Sequence, residues 1–247
     1  MRVGASDPAL TAVSGVAALG EFVDRLDVVA TFDRGIGPIK VRDRGVSAGQ
    51  LLVGLAQSQL LGGDALVALD RQRVDVGVVE LSAVPGTAST TAAGLARRFG
   101  PAQLAGLERA NAQVIARAHR LLPAARRDTL AGAVTIDMDS TDVEVYGSRK
   151  QGVAYNYAGQ RAGRPHLGTW AEAGLTGAAD LLAGNDDVRP RAADMLGRAL
   201  AGVPEPCPRT RCPDQGSADA RRRRKPHRRC PLGRRAGSPS PGRPGRR

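Results

Sequence analysis

The sequence predicts an α+β protein, a helical region followed by a sheet-bearing region, and three observations carry that prediction. Apolar residues recur at helical spacing over residues 8–130. From residue 131 the period drops to two, with Val134, Ile136 and Met138 alternating with Thr135, Asp137 and Asp139. After Pro204 the composition changes abruptly. Of the 43 residues that follow, 29 are Arg, Pro, Gly or Ala; one is Leu, and none is Val, Ile, Met, Phe, Tyr or Trp. Such a segment cannot bury enough apolar surface to offset its chain entropy, so residues 205–247 are expected to be a disordered basic tail.

Within the helical region, Ala9 to Leu26 carries apolar residues at helical spacing. The run VSAGQLLVGLAQSQLLGG predicts a second helix, with Ser47 placed to cap it and Gly62–Gly63 to stop it. Leu51, Leu52, Leu55 and Gln59 lie along one side of it. A third helix opens on Pro101, its first-turn position, and repeats Leu104, Leu107, Val114, Ile115, Ala118 and Leu121. Just before it, STTAAGLARRFG reads as a short helix ending near Arg97 and Arg98. The pair could form a helix-turn-helix that reads DNA. A capped helix with an exposed basic end is the simpler reading.

In the sheet region, Val134–Met138 and Val143–Val145 read as strand, Ser-Thr turn or bend, strand. The stretch GVAYNYAGQRAGRPHLGTW adds a third, and a helix begins near Pro190. The order β-β-β-α is incomplete as a domain, because a half-open sheet needs more strands or a covering layer.

A formal net charge of +12 points to an anionic partner, nucleic acid first. Location qualifies this: residues 205–247 hold 14 Lys or Arg and 3 acids, and the other 204 residues hold 22 basic and 21 acidic groups. The run RRRRKPHRR could bind phosphates without sequence preference. Cys207, Cys212 and Cys230 all lie in the tail, so the body shows no disulfide framework and suits a reducing cytoplasm. The N-terminus is a poor signal peptide and no stretch is apolar enough to span a bilayer, so a cytoplasmic protein without membrane association is expected. Cys207, Cys212, His227 and Cys230 have finger-like spacing. A zinc finger packs apolar residues beside its ion, and these are almost absent here, which argues against zinc.

Asp137 and Asp139, two residues apart on a strand, point the same way with about 7 Å between α-carbons. Hard carboxylate oxygens so placed suit Mg²⁺ or Mn²⁺. An exposed, solvated strand face is the plain alternative. Arg149, Lys150, Arg161 and Arg164 are placed to meet phosphates beside this acidic centre, and a solvated hairpin accommodates them equally. His166 and the lone Trp170 read as packing residues.

The run TIDMDSTDVEVYGSRKQGVAYNYAGQRAGRPHLGTWAEAGLTGAADLLAGNDDVRPRAADMLGRAL resembles bacterial insertion-sequence transposases of the DDE type. The upstream LLVGLAQSQLLGGDALVALD and TTAAGLARRFGPAQLAGLE resemble the helical N-terminal region of that family, so the likeness covers roughly residues 10–204. It implies a helical, DNA-binding region over 1–130 and the N-terminal part of an RNase H-like catalytic domain over 131–204. The family's first catalytic Asp lies on the first strand, in an Asp-x-Thr motif matched here by Asp139-Ser140-Thr141. The resemblance therefore implies Asp139 as a metal ligand for Mg²⁺ or Mn²⁺, Asp137 as a secondary candidate, and transposon-end DNA as partner. The implied chemistry is metal-dependent DNA strand cleavage and transfer. It leaves room for a homo-oligomer.

The family places a second Asp on a strand after the first helix and a Glu on a later helix. Here that position reads EPCPRTRCPDQGSADARRRRKPHRRC, where Asp214 and Asp219 stand in sequence with no strand pattern. A reading frame shifted near Pro204 of a GC-rich gene accounts for this, and a catalytically incomplete copy is expected. Two rivals stand beside that reading. One is a non-catalytic DNA-binding protein acting through its helices or its Arg-rich tail. The other is a chain with no selected function that folds poorly.

Overall fold

A computed structural model describes residues 11–42, 44–147 and 150–204, and the statements below concern those residues. Arg149, the Arg-rich tail and the four candidate zinc ligands lie outside them.

The predicted N-terminal helix is present as α1 (Val16–Arg25). Asp27 then takes a left-handed backbone, φ 49°, a conformation that Asp tolerates better than most side chains. That turn starts α2 (Val28–Ile36), which the sequence reading did not assign. The expected helix after Ser47 is α3 (Ala48–Leu60), held by a capping box between Ser47 and Gln50. Such a cap contributes about 1 kcal/mol. Gly62, at φ 81°, ends it as expected. Two short helices follow, α4 (Ala68–Gln72) and α5 (Val76–Leu81). Asp70 then secures the start of α6 (Ser89–Ala96), accepting the Ser89 amide at 3.0 Å and its hydroxyl at 2.5 Å.

Helix α7 (Pro101–Leu121) opens on Pro101 as predicted, but its buried line differs from the predicted stripe. Gly106, Ala110, Val114, Ile115 and His119 are buried, and Leu104 and Leu121 face solvent. The cause is the crossing with α2. A Cβ on Gly106 would overlap the Gly35 carbonyl, so the contact runs through small residues and turns the leucines outward. Helix α8 (Ala124–Gly132) completes the helical part. Two apolar clusters hold it together. One joins Ile36, Ile39, Val46, Leu51, Leu69 and Leu95; the other joins Val23, Leu26, Val28, Val53, Val84 and Val114.

The sheet comprises β1 (Ile136–Ser140), β2 (Val143–Glu144), β3 (Ala154–Tyr155), β4 (Arg161–Trp170) and β5 (Leu175–Ala183), each antiparallel to β4. β1 and β2 are not a hairpin. Ser140 pairs with His166 and Val143 with Gly163, so one continuous register runs through both. The ladder lapses opposite Pro165, which accepts the Thr141 amide but has no N–H to return. The sequence reading missed β5. Its residues, LTGAADLLA, are mostly helix formers with one β-branched side chain, and a register shift at Gly168/Thr169 disturbs the pairing.

A single turn of 3-10 helix (Arg189–Arg191) leads into α9 (Ala192–Ala201), as Pro190 predicted. Helix α9 lies on the sheet with Met195 fully buried and Ala199 against Gly168 and Gly177, whose missing side chains let it approach. Arg198 fastens it, donating to Glu108 at 2.7 Å, Asp180 at 2.8 Å and Asp194 at 2.9 Å. On the outer edge of β5, α7 takes up backbone groups: Asn111 donates to the Thr176 carbonyl at 3.0 Å, and Glu108 accepts the Ala179 amide at 3.3 Å. The combination of helices and antiparallel sheet is the α+β class expected. No helix among the described residues is long and apolar enough to cross a membrane.

Candidate functional site

The continuous register of β1 and β2 sorts the four acids of residues 137–144 by parity, because successive side chains on a strand point to opposite faces. Ile136, Met138, Ser140, Asp142 and Glu144 share a face with Trp170, Gly168, His166, Arg164 and Ala162, their partners on β4. That is the face α9 covers, since Met195 and Ala199 sit over Gly168. Asp137 and Asp139 lie on the other face, opposite Thr169 and Leu167. No helix shields their side, where Val143 and Leu167 are exposed and Leu181 is 75% exposed.

Asp142, on the covered side, is neutralised within the fold. Arg164 grips it with two nitrogens, Nε at 2.7 Å and Nη2 at 3.2 Å, and Asn156 donates to it at 3.0 Å. The Arg164 hydrogen bond, with help from Asn156, holds its carboxyl below the usual Asp range although burial opposes the shift. Arg164 also donates to the Asp186 carbonyl at 2.7 Å. Sequence reading placed Arg164 toward phosphates; the structure places it in this ion pair. The signal was available, since Asp142 and Arg164 are cross-strand partners once the register from Asp139 and Leu167 is extended.

Among the described residues Asp137 and Asp139 pair with no cation. Asp139 accepts the Ser140 amide at 2.8 Å, and the Asp137 carboxylate forms no ion pair with another described residue. The odd-numbered backbone groups of this strand bond to β4, as Thr141 to Pro165 and Val145 to Arg161 show. The Ser140 amide that Asp139 captures therefore lies on the outer, unpaired edge of β1. Of the basic residues expected nearby, Arg161 donates to the carbonyls of Gly147 and Lys150, the latter at 2.7 Å. Lys150 is exposed. Arg97 and Arg98 are exposed at the end of α6, in the helical part. His166 and Trp170 are both 3% exposed, in keeping with packing roles. Trp170 meets His119 of α7, a residue with no distinguishing sequence signal, with ring centroids 6.3 Å apart. Burial, aided by the Arg127 charge, pushes the His119 imidazole below its usual pKa.

Two exposed carboxylates on one strand face suit a hard divalent ion as one arm of its shell. Among the described residues no third His, Cys, Asp or Glu joins them to make a group that could hold a metal. Comparisons add nothing to the geometry: no family model, no curated protein and no solved structure matches the chain.

Proposed function

We propose that the chain is a member of the DDE insertion-sequence transposases, with residues 131–204 forming the first half of an RNase H-like domain and the copy catalytically incomplete. One observation carries this reading. Asp137 and Asp139 stand together on the uncovered face of the first strand of an antiparallel β1-β4-β5 sheet, which a helix, α9, follows and covers on the opposite face. The resemblance of Asp139-Ser140-Thr141 to the family's first motif supports the same assignment. In the family, metal held by carboxylates from separate elements activates the attacking oxygen and stabilises the leaving one. Here Asp139 would hold such an ion with Asp137 beside it, and the remaining ligands would come from outside residues 11–204.

Mn²⁺ titration followed by electron paramagnetic resonance tests the arm directly. Weak binding by the full chain that Asp137→Asn/Asp139→Asn removes is the expected result; binding indifferent to both substitutions overturns the assignment. A nicking assay on supercoiled plasmid with Mg²⁺ tests completeness. The folded chain alone is expected to leave the plasmid intact. Nicking that Asp139→Ala abolishes would show that the carboxylate set is completed after all.

A further inference from the structure

The C-terminal end of α6 presents Arg97 and Arg98 to solvent, and Ile39 and Val46, from the loop of residues 37–46, pack against that end. Ile39 and Val46 from the loop share an apolar cluster with Leu95 and Phe99, and the Arg98 guanidinium donates to the Ile39 carbonyl at 3.4 Å. Lys40, Arg42 and Arg44 fall within five residues of this loop. The Lys40 ammonium closes it, donating to the carbonyls of Arg44 at 2.8 Å and Gly45 at 3.2 Å. Gly45 supplies the left-handed backbone, φ 71°, at the point of closure. Arg42 and Arg44 are exposed, and Val41 between the basic positions is fully so.

Among the described residues no carboxylate pairs with Arg42, Arg44, Arg97 or Arg98. Asp33 spends its carboxylate on the Gly49 amide at the start of α3, and Asp70 is taken up by Ser89 at the start of α6. Asp43 is the one acid in the loop's sequence, against five cations on the two contiguous segments. Arg42, Arg44, Arg97 and Arg98 form no ion pair among the described residues, as holds also for Arg71, Arg73 and Arg109, but these four come from one loop and the helix end it packs against. In a body whose charges nearly cancel, this is a local excess of guanidinium groups, whose forked donors match phosphate oxygens.

We infer that the 37–46 loop and the end of α6 form a binding surface for the phosphate backbone of duplex DNA, built from residues other than Asp137, Asp139 and the Arg-rich run of residues 221–229. The inference rests on the proposed family membership, which implies DNA as partner, and not on strand-cleavage chemistry. Arginines on a closed loop buttressed by a buried cluster are held for a rigid polyanion. Val41 is the one large apolar side chain among the exposed loop residues, too little to insert into a lipid surface.

The test uses the full chain, a short fluorescent duplex of arbitrary sequence, and EDTA to suppress cleavage. Each phosphate contact contributes about 0.9 to the slope of log K against log salt, so Arg42→Gln/Arg44→Gln/Arg97→Gln/Arg98→Gln is expected to flatten that slope by about 2 to 4. Affinity near physiological salt is expected to fall at least about tenfold. The comparison variant neutralises Arg221, Arg222, Arg223 and Arg224 in the tail. If it accounts for the whole slope and the first variant matches wild type, the surface is not used. A benzophenone side chain at Val41 is expected to cross-link the duplex. One at exposed Leu60, at the far end of α3 and about 18 Å along its axis from Ala48, is expected not to. Equal cross-linking at both positions would also overturn the inference. Capture of anionic vesicles that the four substitutions abolish, with duplex binding unchanged, would assign the surface to a membrane instead. Asp139→Ala should leave every one of these readings unaltered, so loss of the metal-arm assignment and loss of this surface are distinguishable.

Discussion

Met195→Ala is the sharpest test of the architecture, because one fully buried side chain joins α9 to the sheet. Met195 packs with Ala178, Ala199 and the partly buried Ile136, over the space that Gly168 leaves open. Truncation removes the equivalent of about three buried methylene groups, roughly 2.4 kcal/mol at about 0.8 kcal/mol each. The vacated volume adds a cavity term, because the Ala and Gly residues around it have no side chains long enough to fill it. The expected loss is therefore about 3 kcal/mol, within the usual span of roughly 2–5 for such a truncation. That is on the order of a hundredfold in the ratio of folded to unfolded chain. Urea unfolding followed by intrinsic fluorescence reads it cleanly, since Trp170 is the sole tryptophan and is buried at the end of β4. Leu196→Ala, one residue along and 38% exposed, is the internal control and should cost under about 1 kcal/mol. Equal and small losses at both positions would refute the seating of α9 by this face.

Gly106→Ala gains helix propensity, worth about 1 kcal/mol, yet should destabilise the chain, because the new Cβ meets the Gly35 carbonyl and forces α2 from α7. A higher thermal midpoint for Gly106→Ala than for wild type would show that the two helices do not cross there. The His119 imidazole has its pKa lowered in the folded state, so the folded chain resists a proton that the unfolded chain accepts. Stability is then fully present above the unfolded value, near 6.5, and declines as pH falls through the folded one. His119→Phe should flatten the urea midpoint between pH 7.5 and pH 5; an unchanged decline would place the responsible group elsewhere.

The elements legible in the sequence were those fixed by local chemistry. Ser47 with Gln50, Gly62 and Pro101 bound α3 and α7 where the capping rules place them, and period two located β1 and β2. What escaped was decided by contact between distant segments. The small-residue line of α7 exists because Gly35 arrives from α2, and no pattern within α7 announces it. β5 reads locally as helix and becomes a strand because β4 pairs with it. The candidate site was half legible. Parity put Asp137 and Asp139 on one side, but only the uninterrupted register past Pro165 reveals that Asp142 belongs to the other side and to Arg164.

The two long edges of the sheet differ in what they can still accept. Along β5, Asn111 and Glu108 of α7 imitate a neighbouring strand, one as donor and one as acceptor, and so terminate the ladder near Thr176 and Ala179. Along β1 the one outward amide engaged among the described residues is that of Ser140, held by the Asp139 carboxylate, a local bond that an incoming chain can displace. The stretch of β5 from Thr176 to Ala179 is thus closed to a further strand, whereas β1 is open. A segment that extends the sheet along β1, from the same polypeptide or another, arrives alongside Ser140 with Asp139 as its first neighbour.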